Sequence, residues 1–248
     1  LDRELPPEIR QEHEERGLPG ILYYRQFTPK LAARGWLGLG WPREYGGGGS
    51  IWKQFILVEE VAYRWMSFRN QGVSIVGPSL LTYGTEEQKA EFLTRIGRGE
   101  LIFCALLSEP QAGSDSANVQ TRAQPDGDYY RIDGDKIFAS EADLADYGVL
   151  TARTDPTAPK HRGVSMFLVD LKAPGVEVHP WTTLAGDRRF NQVFLTDGRL
   201  HRRYLVGEEN RGWYQLMTFF EFEGAAFMPA EFVGTVRRAL DDLKEYAQ

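Results

Sequence analysis

Leu106-Leu107-Ser108-Glu109-Pro110-Gln111-Ala112-Gly113-Ser114-Asp115 carries an apolar run into hydroxyls, a proline and a glycine, with two carboxylates among them. The run that feeds it, Leu101 to Leu107, is short and apolar throughout, which predicts a buried strand ending where the polar residues begin. Such a loop suits a cofactor that presents hydrogen-bond acceptors. Ser108 and Ser114 offer hydroxyls, Gly113 lets the backbone approach closely, and exposed N–H groups can form an anion nest. The same residues also make a turn in which Ser and Asp cap their own backbone, and the pattern taken alone favours that turn.

Upstream of the loop the chain reads as helical. From Ser50, placed as an N-cap, apolar Ile51, Phe55, Val58 and Ala62 recur at helical spacing. Thr85-Glu86-Glu87-Gln88 has the order of a capping box, with Phe92, Leu93 and Ile96 as the buried stripe before Gly97. Between Gly35 and Ser50, GWLGLGWPREYGGGGS is too irregular for either period and too aromatic for a flexible linker, so it reads as an ordered connection.

Downstream the period changes to that of strands. NVQTRAQ and YYRIDG flank Pro125-Asp126-Gly127-Asp128 as a hairpin. GVSMFLVDL, VEVHPW and NQVFLTD follow, punctuated by Pro174-Gly175 and Asp197-Gly198. Short strands at this spacing predict a sandwich or barrel of about a hundred residues. After Gly212 the helical period returns with Trp213, Leu216, Met217 and Phe220 on one side, then Val236 and Leu240. The expected organisation is α+β and multidomain: an α-helical N-terminal domain over 1–100, a central β-barrel or sandwich over 101–208, and the first part of a C-terminal helical bundle over 209–248.

The 248 residues carry a net charge of −6 and no basic stripe, which argues against a nucleic-acid surface. No uninterrupted apolar stretch reaches membrane-spanning length, and LDRELPPEIRQEHEERG lacks the pattern of a secretion signal. The single cysteine, Cys104, sits inside LIFCALL as a buried thiol, so a reducing, cytoplasmic setting is expected. The start without Met and the end in mid-helix pattern suggest a chain cut at both ends.

Two further stretches could carry chemistry. In Gly134-Asp135-Lys136-Ile137-Phe138-Ala139-Ser140, a regular strand would put Phe138 and Ser140 on one face, where one can cover a planar ring and the other bond its edge. A core phenylalanine at a strand end gives the same pattern. In Phe219-Phe220-Glu221-Phe222-Glu223-Gly224, only one carboxylate of the pair can point into a shared apolar site, where desolvation would raise its pKa toward that of a general base. A solvated helix face is the plain alternative. His13, His161, His179 and His201 are scattered without metal-ligand spacing, Cys104 has no evident His partner, and no P-loop or dinucleotide fingerprint is present.

In this order, GWLGLGWPREYGG, YGTEEQKAEFLTRIGRGE, LLSEPQAGSD, DGDYYRIDGDKIFAS, VFLTD and YLVGEENRGW resemble the acyl-CoA dehydrogenase family of flavoproteins over most of the chain. The resemblance implies FAD held between the β domain and a C-terminal four-helix bundle that this chain contains only in part. It implies that Ser108, in place of the family's usual Thr, and the backbone around Leu106 and Gly113 contact the flavin, and that Ser114 lies near the CoA arm. The family's W-x-T stretch matches Phe138-Ala139-Ser140, so Phe138 would cover the ring and Ser140 would bond near its reactive nitrogen.

The implied reaction is α,β-desaturation of an acyl-CoA, an oxidoreductase step of fatty acid or other lipid metabolism. A Glu removes the α-proton, hydride passes to FAD, and an electron-transfer flavoprotein is the expected acceptor. Glu223 matches one of the family's two base positions, although Gly224 replaces the usual Arg; the other position lies beyond the end of this chain. Phe220 is a candidate for lining the acyl pocket. Alternatives are an acyl-CoA oxidase, a related flavin monooxygenase, or a non-catalytic subunit of a heteromer, and a homo- or hetero-oligomer is implied in each case.

Overall fold

Packing of short amphipathic helices against a twisted sheet organises the molecule, whose computed structural model describes residues 5–16, 20–68, 70–222 and 227–248. The helical part runs through α1 (Pro7–Arg16), α2 (Thr28–Ala33), α3 (Ile51–Ala62), α4 (Gly77–Tyr83), and α5 (Glu86–Gln88) continuing through a π-helical turn into α6 (Thr94–Gly97). The capping box forms: the Gln88 N–H donates to Thr85 Oγ1 at 3.2 Å, and the Thr85 N–H donates to Gln88 Oε1 at 3.1 Å. Phe92, Leu93 and Ile96 behind it are fully buried. Phe92 meets Phe103, Tyr147 and Tyr204 edge-on with centroids 5.2–6.3 Å away, so this helix is welded to the sheet by rings.

Ser50 caps α3 as expected, accepting the Lys53 N–H. The buried stripe is rotated from the expected one, comprising Gln54, Leu57, Val58, Val61 and Ala62, while Ile51 at the first turn is half exposed. The reason is a second neighbour. The last helix packs along α3 so closely that a Cβ at Gly234 would meet the Glu59 carbonyl oxygen and Ala62. The connection over 35–50 is ordered by Trp41, which is buried and donates its Nε1–H to the Val73 carbonyl at 3.2 Å.

The sheet contains β1 (Phe103–Leu106), β2 (Arg122–Asp126), β3 (Tyr129–Ser140), β4 (Tyr147–Arg153), β5 (Val164–Asp170), β6 (Val176–Trp181), β7 (Phe190–His201) and β8 (Leu205–Val206). Its order is β6-β7-β3-β2-β4-β5-β8, with β1 paired parallel to β4. The barrel or sandwich expected from the strand pattern is thus one mixed eight-stranded sheet that is not closed. Pro180 lies on the edge strand β6, where its missing N–H costs no central ladder bond. Gly127, at φ 59°, makes the β2–β3 turn predicted from Asp-Gly.

Two helices follow, α7 (Gly212–Phe222) and α8 (Met228–Tyr246). A Cβ at Gly212 would lie 2.5 Å from the Ser165 carbonyl carbon, so glycine is what lets α7 start against β5. Gln215, Leu216 and Phe219 are buried on α7, whereas Phe220 is 43% exposed, which corrects its expected place on the inward stripe. Val236 and Leu240 also face outward, because α8 turns Ala230 and Gly234 toward α3 and anchors there through polar groups. Arg237 pairs with Glu59 and Glu60, and the Tyr63 hydroxyl donates to Asp241 at 3.0 Å. Among the described residues no helix is long and apolar enough to cross a membrane.

Candidate flavin-edge site

Parallel pairing of β1 with β4, from Phe103↔Tyr147 to Leu106↔Leu150, delivers the chain to the loop that follows. Leu106 is fully buried with its side chain against Gly148, so only its backbone is available to a ligand. The loop then does make a turn. The Glu109 N–H donates to the Ala112 carbonyl at 3.0 Å, and the Ala112 N–H returns a bond to the Glu109 carbonyl at 3.1 Å. Beyond the turn Gly113 and Ser114 are exposed, and a Cβ at Gly113 would meet nothing within 4 Å.

Both carboxylates of the stretch have structural partners. Asp115 is paired with Lys160 at the surface. Glu109 is buried and receives Lys136 Nζ at 2.8 Å, the Thr121 N–H at 3.0 Å, the Gln120 N–H at 2.6 Å and the Gln111 amide at 3.3 Å. Burial works against the Glu109 charge, but the Lys136 ammonium and the other donors outweigh it and hold the carboxyl below its ordinary value. Burial lowers Lys136 to about 8 despite the pull of Glu109, which leaves it the cation of the pair at neutral pH. Lys136 completes its valences with the Thr151 carbonyl at 2.7 Å and the Leu107 carbonyl at 3.3 Å.

One residue after Lys136, β3 breaks register. Pairing with β7 passes from Lys136↔Val193 to Ala139↔Asn191, so Ile137 and Phe138 together oppose Gln192. Phe138 is held at φ 55°, a conformation unusual for an aromatic residue. The simple alternation expected to place Phe138 and Ser140 on one face is therefore replaced by a bulge. Phe138 is 53% exposed, and its ring packs on Trp181 and Phe190 at 5.3 and 5.7 Å. Ser140, opposite Phe190, is half-buried beyond the buried Ala139.

Besides the bonds of Lys136 to Glu109 and Leu107, a backbone hydrogen bond joins the two predicted stretches: the Ile137 N–H donates to the Ser108 carbonyl at 2.9 Å. Ser108 and Phe138 are thus brought together. On the other side of the loop lies a cleft of about 550 Å³ whose walls include Asn118, Gln120, Arg122, Thr154 and Lys160. Arg153 braces it by donating to the Ala117, Val119 and Lys160 carbonyls. Sequence reading overlooked this basic cleft because its cations come from three separated segments. It also overlooked Trp181, whose signal was an aromatic at the end of an edge strand.

Residues 1–100 match the model of the acyl-CoA dehydrogenase N-terminal domain, and residues 104–197 match that of the acyl-CoA dehydrogenase middle domain. The chain belongs to the acyl-CoA dehydrogenase family. It is 39% identical over 230 residues to acyl-CoA dehydrogenase FadE26 of Mycobacterium tuberculosis, a match covering 91% of this chain and 56% of that protein. Among solved structures, a Tcur3481-Tcur3483 steroid ACAD superposes with a TM-score of 0.90 at 39% identity, covering 98% of this chain and 63% of that one. The ChsE4-ChsE5 complex from Mycobacterium tuberculosis follows at 0.79 and 38%, with 89% and 56% covered. This acyl-CoA dehydrogenase family chain thus spans about three fifths of the length of the relatives it matches.

The remaining expected site residues lie apart from the loop in sequence. Phe220 stacks edge-on with Phe219 within its own helix at 5.3 Å. Glu221 is exposed, and Glu223 and Gly224 lie outside the described residues. Cys104 is fully buried, and desolvation pushes its thiol pKa upward, which makes it a core residue.

Proposed function

We propose that the protein catalyses α,β-dehydrogenation of an acyl-CoA thioester with FAD as the hydride acceptor. The observation that carries this reading is the Ile137 to Ser108 hydrogen bond, which sets a half-buried hydroxyl beside an exposed aromatic ring on a bulge. These residues fit a flavin: an exposed ring at Phe138, hydroxyls at Ser108 and Ser140, and open space in front of Gly113. When bound, FAD supplies a two-electron acceptor that passes electrons on singly, and an electron-transfer flavoprotein is the partner that chemistry calls for.

The chain's own residues take the other roles. Phe138 covers a planar ring, Ser108 and Ser140 donate to its edge, and the backbone at Leu106 and Gly113 lines it. Ser114 holds the CoA arm, and the basic cleft behind it, with Arg122 and Lys160, receives phosphates. Glu223 removes the α-proton and Phe220 lines the acyl side. Likeness to a protein described as a steroid ACAD supports a bulky, steroid-bearing acyl group over a straight fatty chain, and likeness to a ChsE4-ChsE5 complex supports a heteromeric assembly.

Anaerobic mixing of the FAD-loaded protein with a steroid-side-chain acyl-CoA tests this. Loss of flavin absorbance with formation of the unsaturated thioester is expected, and Glu223→Gln should slow it about a hundredfold or more. Retained absorbance contradicts the reading. Fast peroxide release on admitting air would favour an oxidase, and full turnover by the Glu223→Gln protein would remove Glu223 as base. Gly224 in place of the family's Arg keeps the non-catalytic subunit as a second reading, which unreduced but bound flavin would support.

A further inference from the structure

Lys136 and Glu109 form an ion pair with neither side chain exposed, in the wall directly behind the proposed flavin edge. Stability alone is a weak reason for burying two charges, since a well-packed apolar pair of similar volume often does as well. The geometry supplies a better one. Lys136 Nζ reaches the Leu107 carbonyl while the next residue, Ile137, donates its N–H to the Ser108 carbonyl. Two consecutive residues of β3 therefore grip two consecutive residues of the loop. The grip holds Ser108 itself, and the bulged Phe138 stands one residue beyond it on β3.

The carboxylate does the matching job at the base of the loop. Glu109 accepts the Gln120 and Thr121 N–H groups, so the segment 110–119 leaves from and returns to one side chain. Its tip carries Gly113, Ser114 and Asp115. A third tie, from Lys136 Nζ to the Thr151 carbonyl, fixes the arrangement to β4 at the sheet's centre.

We infer that the Lys136 and Glu109 pair is a positioning device that fixes the spacing between the Ser108 loop and the Phe138 bulge, and with it the fit of the flavin ring. Neither residue touches the ligand; each acts through backbone groups of residues that do. The inference rests on the flavin reading given above. It differs from a purely structural role in one respect: neutralising both partners removes the buried charges but leaves the Leu107 and Thr151 carbonyls without the Lys136 donor and the loop free to shift.

The test compares the unsubstituted chain with Lys136→Met and with the Lys136→Met, Glu109→Gln double variant. The double variant removes both charges, and the single amide oxygen of the new side chain keeps only one of the two bonds that Gln120 and Thr121 make to separate carboxylate oxygens. Amide hydrogen exchange and FAD titration by flavin fluorescence are read on each. In the double variant, the β4–β5 ladder is expected to keep its protection, while the Ile137 amide exchanges about tenfold faster or more and FAD binds about tenfold more weakly. Unchanged Ile137 protection together with unchanged FAD affinity would overturn the inference. So would loss of protection throughout the ladder, because the pair would then be holding up the sheet and not the loop. If the unsubstituted chain binds no FAD while Ile137 responds as expected, the flavin reading fails and the loop-positioning inference stands.

Discussion

At the scale of single residues, the opening stretch divides its work between backbone and side chains. The two carboxylates, Glu109 and Asp115, are partners of Lys136 and Lys160 in the fold. Because four donors converge on Glu109, its carboxyl is held below the ordinary value of 4.5, and the folded chain binds fewer protons than the unfolded one as acid is added. The stability it contributes is complete above that ordinary value and is lost as the pH falls through the lowered one. Urea unfolding measured from neutral pH downward should show this loss, and Glu109→Gln should flatten the profile in that window; an unchanged slope would speak against the assignment. Cys104, buried and with its thiol pushed upward, should react with an aromatic disulfide reagent only on unfolding, which a labelling time course in and out of denaturant would show.

At the scale of elements, signals that act over three or four residues were legible. The Thr85–Gln88 box, the Ser50 cap and the Gly127 turn all formed where local chemistry placed them. Thr85→Ala should therefore cost about 1 kcal/mol in chemical denaturation. What was not legible was facing. Ile51, Phe220, Val236 and Leu240 carry the helical period but are half exposed, because a period of 3.6 residues gives a stripe without saying which neighbour claims it. The bulge at Ile137 and Phe138 was hidden for a similar reason. An extra residue in one strand is specified by its partner β7 and by the tether to Ser108, both distant in sequence. Phe92 is where helix and sheet meet, and Phe92→Ala should destabilise by about 3–5 kcal/mol; a loss of less than about 1 kcal/mol would mean the ring cluster is not the joint described.

At the scale of the whole molecule, a helical layer and an open mixed sheet place the Ser108 loop and the Phe138 bulge side by side, while α7 starts against β5 through Gly212. The family's motifs along the chain made the fold class readable and pointed to the proposed flavin edge. They could not show how Ser108 and Phe138 are joined, since that depends on Lys136, Glu109 and a broken register. The central claim is that this edge receives the flavin ring. Titration of the chain with FAD, followed by quenching of flavin fluorescence, tests it most directly when Phe138→Ala and Ser108→Ala are measured beside the unsubstituted protein. The account predicts saturable quenching that weakens about tenfold for Phe138→Ala and less for Ser108→Ala, since an exposed aromatic cover contributes more than one hydroxyl. Equal FAD affinity in all three proteins would contradict it.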